Sequence, residues 1–311
     1  MDVVVAAQPF WRLSAHGNAF VCIDVSLTSS SVPSLQALHG TVAGLWDFAA
    51  AAARLARRVC DPCQGFGVDG LILARRMAPA AGADLAVRFL EPDGGEATLC
   101  GNGLACLAHW FLERSSVVGA RVLTHCGPML VKRAGPSCYA VTLPRPRIRA
   151  DGLRLTLGDI VYPAALVEVG VPHLVVAVRN LMGVDVVHLG RELRWHAAFC
   201  AERLNVNFVE ARGPGRLTQR TFEAGVERET LACGTGAAAS SWVMARQLGW
   251  AALPGGADAP VRVAVAGGGE LLVVPIRDRG GTLAGVCLLS QVALLGAGVV
   301  PLGWLADAWS A

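Results

Sequence analysis

The sequence predicts an α/β (α+β) fold built as two related halves, and three observations predict it. The segments EATLCGNG (96–103) and ETLACGTG (229–236) share one pattern. Each has a cysteine four residues after a glutamate and glycines at +1 and +3, and each opens an Ala/Leu-rich stretch that reaches a tryptophan, Trp110 or Trp242. Upstream, RFLEPDGGEATLC from Arg88 parallels RTFEAGVERETLAC from Arg220, so Glu91 and Glu223 stand nine and ten residues before Cys100 and Cys233. Most other segments, among them RVLTHC, MLVKR, YAVTLP, LVVAV, VRVAVAG and ELLVVPI, are short β-branched runs broken by Gly or Pro. A single glycine-rich cysteine turn is ordinarily a buried strand-to-helix corner. Two that share Glu, Cys and both glycines point to a duplicated site.

In chain order, Leu35 to Arg58 reads as largely helical, with strong helix formers in WDFAAAAARLARR and a basic end that suits the macrodipole. The long helices are expected directly after each cysteine. Pro136, where GPS interrupts two strand-like runs, marks the join. One half is then residues 1–136 with C-terminal strands at about 289–311, carrying Cys100; the other is 137–288, carrying Cys233. From Gly281 to Ala306 no residue is charged, yet the stretch holds several glycines, Ser290, Gln291 and Pro301. VCLLSQVALL therefore predicts a buried strand, not a membrane span.

Composition narrows the function classes. The chain has 311 residues, room for two ordinary domains, and a net charge of only +3 with no basic stripe, which argues against nucleic acid. MDVVVAAQPFWR lacks a basic n-region before a long apolar core, so a cytoplasmic protein is expected, and its ten cysteines are expected to be reduced. Cys60 and Cys63 form a C-x-x-C with no second pair, and read as structural. His16, His39, His109, His125, His188 and His196 show no metal-ligand spacing, so no metal is expected.

A cysteine at a helix N-terminus sits beside unpaired backbone N–H groups that stabilise a thiolate. Glycines beside it let the same N–H groups approach a carboxylate. Two such segments facing one carbon would supply an acid and a base. Pyridoxal phosphate, the usual means of acidifying an amino-acid α-proton, needs a lysine. The single lysine, Lys132, lies in the strand-like MLVKRAGP with no glycine-rich phosphate loop nearby. No cofactor is expected.

With LSAHGNAFVCID, GFGVDGLIL, VPHLVVAV and LNVNFVE standing in order around the two cysteine motifs, the chain resembles the diaminopimelate epimerase family over nearly its whole length. The resemblance implies two halves, each a curved β-sheet around a central helix, with the active site in the cleft between them. It also implies cofactor-independent inversion at Cα, in which one cysteine thiolate removes the α-proton and the other thiol protonates the opposite face. By that resemblance Cys100 and Cys233 are the bases, and Gly101, Asn102, Gly234 and Thr235 hold the α-carboxylate and α-amino end. Asn18, His173 and Glu223 line the site and help set thiol protonation. The cleft closes on its substrate, and a homodimer is expected because similar enzymes are often dimers.

Three positions depart from the family pattern. Glu91 and Val171 stand where the family has Asn, and Ala224 where it has the Arg after the catalytic Glu; Asn205 is retained. Those family residues help hold the distal amino-carboxylate of diaminopimelate. Losing an Arg and gaining a Glu leaves a distal carboxylate poorly served and favours a cationic or donor side chain such as histidine, arginine, ornithine or lysine. Glu91 could instead face away or pair with a nearby Arg. Diaminopimelate itself stays open as substrate, as do a cysteine hydrolase or transferase with His173 as base, and an inactive binding homologue.

Overall fold

The computed structural model describes residues 7–26, 44–78, 81–199, 202–250, 259–301 and 304. Its first half is a closed ring of strands. β1 (Ala7–Ala15), β2 (Asn18–Asp24), β3 (Gly70–Arg76), β4 (Leu85–Leu90), β6 (Gly119–Thr124), β7 (Gly127–Gly135), β8 (Cys138–Pro144) and β17 (Leu283–Pro301) pair in that order, and β17 returns to β1. Helix α2 (Gly101–Leu112) runs through the ring and is buried on all sides over Gly101–Trp110, as expected of a core helix apolar around its circumference. The short β5 (Glu96–Ala97) leads into it from β4.

The second half repeats the plan with a more open ring. β9 (Arg147–Leu157), β10 (Ile160–Glu168), β11 (Pro172–Ala177), β12 (Asn205–Ala211), β13 (Arg216–Glu223), β15 (Val261–Val265) and β16 (Glu270–Arg277) pair in sequence and reach β17. They curve around α4 (Gly234–Gln247), which follows the short β14 (Arg228–Thr230). Each half is thus a curved sheet about a central helix.

Strand alternation decides what covers the outside. In β2, Phe20 and Cys22 face α2, while Val21 and Ile23 face α1 (Ala49–Cys60) on the outer surface; β3 does the same with Ile72 and Ala74 inside and Leu71 and Leu73 outside. α3 (Val186–Arg194) covers the outer face of β10 to β13 through Val186 and Leu193 against Leu174, Phe208 and Phe222.

Several expectations need adjusting. Pro136 lies in the β7–β8 hairpin and not between the halves, because β8 is hydrogen-bonded to β7 from Gly135↔Cys138 to Val131↔Val141. The chain crosses to the second half only after Pro144. β17 belongs to both rings, pairing with β16 up to Leu289 and with β1 from Val292. The segment 286–295 is a strand as expected, but buried only in its first part: Leu294 and Leu295 are exposed. The helix expected from Leu35 to Arg58 is seen as a helical turn over residues 44–47, a break at the extended Phe48, and α1 from Ala49; residues 35–43 lie outside the described residues. Among the described residues no helix is long and apolar enough to cross a membrane.

Candidate active site

Cys100 and Cys233 cap α2 and α4 in nearly the same backbone conformation, φ −135°, ψ 113° and φ −129°, ψ 109°. Each Sγ accepts a hydrogen bond from the N–H three residues on, Gly103 at 3.3 Å and Gly236 at 3.4 Å. The two helix starts meet head to head. A Cβ added to Gly234 would lie 3.6 Å from Gly101 Cα and 2.5 Å from Leu288 Cδ2. The contact with Gly101 would be ordinary and the crowding comes from Leu288, which packs against both helix starts; the donors and dipole ends of two helices thus lie side by side.

The parallel upstream segments hold each cysteine turn by the same device. Arg88 pairs with Glu96 through Nε (2.9 Å) and Nη2 (2.7 Å), and its Nη1 donates to the Leu45 and Trp46 carbonyls. Arg220 pairs with Glu229 at 2.7 Å through both nitrogens, and its Nη1 donates to the Leu181 and Val184 carbonyls. In both copies the glutamate four residues before the cysteine is held by an arginine within the preceding strand, a bidentate geometry that fixes direction as well as distance. Glu91 and Glu223, three residues after these arginines, both border the same cleft.

That cleft has a volume of about 200 Å³ and is walled by both halves, below the ~300–1,000 Å³ of drug-sized sites. It brings together Cys100, Cys233, Glu223, Asn18, Glu91, Gly101, Asn102, Asn205, Gly234 and Thr235, with Val171 and Ala224. Asn102, which lines the cleft, donates to Ala232 O (3.2 Å), but its buried Oδ1 has no partner among the described residues. Asn18 Oδ1 accepts from Ala232 N–H (3.1 Å) and Asn205 Oδ1 from Ala224 N–H (2.9 Å), so these two also shape the walls. Beside the cleft, Arg228 of the second half pairs with Asp69 of the first at 2.9 Å.

His173 is the exception. It is wholly buried and does not line the cleft. Asn207 Nδ2 lies 3.1 Å from its Nδ1, Asn207 Oδ1 accepts from Thr221 Oγ1 (3.0 Å), and Gln219 Nε2 donates to both Thr221 Oγ1 (3.1 Å) and Cys233 O (3.4 Å). His173 therefore stands one hydrogen-bonded chain behind Cys233, and burial drives its pKa down to about 3, which keeps the ring neutral. A catalytic contact at the reacting carbon is not its position, and a cysteine hydrolase using it as base loses its geometry: its Nε2 has no partner.

The thiols also depart from expectation. Burial pushes Cys100 up to about 12, and the nearby Glu223 adds to this; the Gly103 N–H pulls the other way without offsetting it. Burial and Glu223 likewise raise Cys233, against the Thr235 hydroxyl and Gly236 N–H. Desolvation by burial thus outweighs the helix ends, and it favours the thiol form of both groups. Glu223 itself is raised to about 7 by burial, although Thr230 Oγ1 donates to it at 2.7 Å. It is half-buried and lines the cleft.

Glu91 both faces the cleft and pairs with an arginine, Arg203. Arg203, Asn207, Thr221, Gln219 and Asp69 were not singled out from sequence. Arg203 directly precedes the LNVNF segment, but its partner lies 112 residues away, and no local pattern links them.

The diaminopimelate epimerase family model matches residues 45–134 and 165–284. This chain belongs to the diaminopimelate epimerase family. It is 34% identical over 236 residues to the diaminopimelate epimerase of Aquifex aeolicus, covering 75% of this chain and 80% of that one. Against that of Methanothrix thermoacetophila it is 37% identical over 254 residues, covering 77% and 81%. Among solved structures, a hydroxyproline epimerase from Agrobacterium vitis superposes with a TM-score of 0.68 at 16% identity, covering 94% of this chain and 91% of that one. A PhzF-family phenazine biosynthesis protein of Bacillus anthracis does so at 0.64 and 13%, covering 95% and 99%. At those identities the likeness concerns the fold. As a member of the diaminopimelate epimerase family the chain is an isomerase, a cofactor-independent amino-acid epimerase or racemase.

Proposed function

We propose that this enzyme inverts Cα of an amino acid whose side chain ends in a cationic or donor group, histidine, arginine, ornithine or lysine, by exchange between Cys100 and Cys233. The observation that carries the substrate is the distal wall: Glu91 borders the cleft with Glu223 nearby, Ala224 offers no guanidinium, and the one arginine lining the cleft among the described residues, Arg203, is paired with Glu91. The unpartnered Asn102 Oδ1 suits an α-ammonium, and the N–H groups that open α2 and α4 suit the α-carboxylate. Those donors stabilise the carbanion as charge moves toward the carboxylate.

Chemistry begins by removing a proton from one thiol. Glu223 is near both sulfurs and titrates in the neutral range, which makes it the group suited to accept that proton. The resulting thiolate takes the α-proton, and the other thiol delivers its own to the opposite face. The two cysteines then exchange protonation states, and no net proton is consumed.

A second reading is diaminopimelate itself, with Arg203 serving the distal carboxylate; the curated relatives at 34% and 37% identity carry that name. The test is Cα deuterium incorporation in D₂O by reduced enzyme with single L-amino acids and with diaminopimelate. Exchange in a basic amino acid is expected. Exchange confined to diaminopimelate would replace the first reading by the second, and silence throughout would leave a binding protein.

A further inference from the structure

We propose that Arg203 is a specificity-determining residue, a guanidinium clasp that pairs with Glu91 until the cationic end of the substrate side chain displaces it. This rests on the reading of a cationic or donor side chain given above.

The clasp spans the cleft. Glu91 follows β4 in the first half, in a turn closed by Gly94 N–H to Glu91 O at 2.9 Å, and Arg203 precedes β12 in the second half; both border the cavity. Arg203 Nη2 pairs with Glu91 Oε2, and the same nitrogen lies 3.6 Å from Asp93 Oδ2. Gly225, at φ +86°, provides the seat, since a Cβ there would overlap both the carboxylate and the guanidinium. Gly225 directly follows Ala224, so the guanidinium in this wall comes from a different element than the family's own arginine.

The two partners are unequal. The Glu91 side chain is 17% exposed and that of Arg203 52%. A half-exposed arginine gives up its bond cheaply, because exposed pairs are worth about 0.2–1 kcal/mol. A buried carboxylate must keep a countercharge. Arg203 has Asp93 to fall back on, and Asp93 is 47% exposed, so displacement strands neither charge. Glu91 and Glu223 border the cavity beside Arg203, and Asp93 lies next to Arg203 outside the cavity lining. A cation thus replaces Arg203 on Glu91, a neutral side chain leaves the clasp shut, and an anion meets the surrounding carboxylates.

The test is steady-state Cα deuterium exchange by wild type, Arg203→Met, Arg203→Lys and Glu91→Gln with L-histidine, L-lysine and diaminopimelate, after circular dichroism has verified folding. Removing the competitor in Arg203→Met should lower KM for the cationic amino acid about threefold to fivefold without a matching change in kcat. Arg203→Lys, which keeps the point charge, should stay nearer wild type. Glu91→Gln should raise KM about 10- to 100-fold. If Arg203→Met leaves KM within twofold while Glu91→Gln raises it, the clasp is overturned and the substrate reading stands. If wild type exchanges diaminopimelate alone, and Arg203→Met raises its KM, both fall and Arg203 is a distal carboxylate ligand. No exchange with any of the three overturns both.

Discussion

Glu223 concentrates the site's electrostatic cost, because burial raises its pKa from 4.5 to about 7. Below pH 4.5 folded and unfolded chains both hold the proton. Between pH 4.5 and 7 the unfolded chain releases it while the folded chain keeps it, so stability falls as pH rises through that window and the loss is complete above 7. The shift corresponds to about 3 kcal/mol. Glu223→Gln has no such proton to lose; its Tm should therefore gain on wild type between pH 4 and pH 8, and thermal unfolding at the two values measures the gain. A constant difference would mean that Glu223 is ionised without penalty. The cysteines give a second prediction at this scale. Cys100→Ala and Cys233→Ala should each cut racemisation by about 10²–10⁴-fold, with chirality followed by polarimetry. Loss in only one variant would indicate a single-thiol reaction.

The helix starts are where sequence and structure agree best. Four-residue patterns around each cysteine suffice to place α2 and α4, because capping and glycine contacts are local physics. The Arg88–Glu96 and Arg220–Glu229 pairs were within reach too, since each lies inside one of the parallel segments compared. The Asn207 chain behind His173 and the Arg203–Glu91 pair were not legible, because each joins residues 34 or 112 positions apart through strand pairing that no local window reports. The environment of the thiols was only half legible for a related reason: the helix end is visible in sequence, but the depth of burial that raises both thiols is not. The head-to-head contact of α2 and α4 carries its own prediction. In Gly234→Ala the new Cβ would sit 2.5 Å from Leu288 Cδ2, and overpacking of this kind costs about 1–3 kcal/mol. The variant should melt lower and lose activity. Leu288→Val, which removes the opposing methyl, should restore part of both in the double mutant; purely additive losses in urea unfolding would show that the clash lies elsewhere.

The two rings are fastened through shared strands and not by a linker. β8 closes the first ring and also pairs with β17 from Gly285↔Pro144 to Gln291↔Cys138, while β17 pairs with β16 on one stretch and with β1 on the next. Residues from both halves consequently form one apolar cluster that includes Leu104 and Trp110 of α2, Ala237 and Val243 of α4, and Leu288 of β17. Neither ring can open without breaking strand pairs that the other needs, so unfolding should be a single cooperative transition in which both central helices exchange amide protons at the global free energy. Leu288 is fully buried at the point where both cysteine helices begin, and Leu288→Ala should cost about 2–5 kcal/mol. Native-state hydrogen exchange of Leu104–Ala108 and of Ala237–Ala239 reads the consequence. Because the cavity would open between the two helix starts, protection should fall by the same factor in both segments. A loss confined to one helix would mean that the halves unfold separately and that the cleft between them can open without disturbing either core.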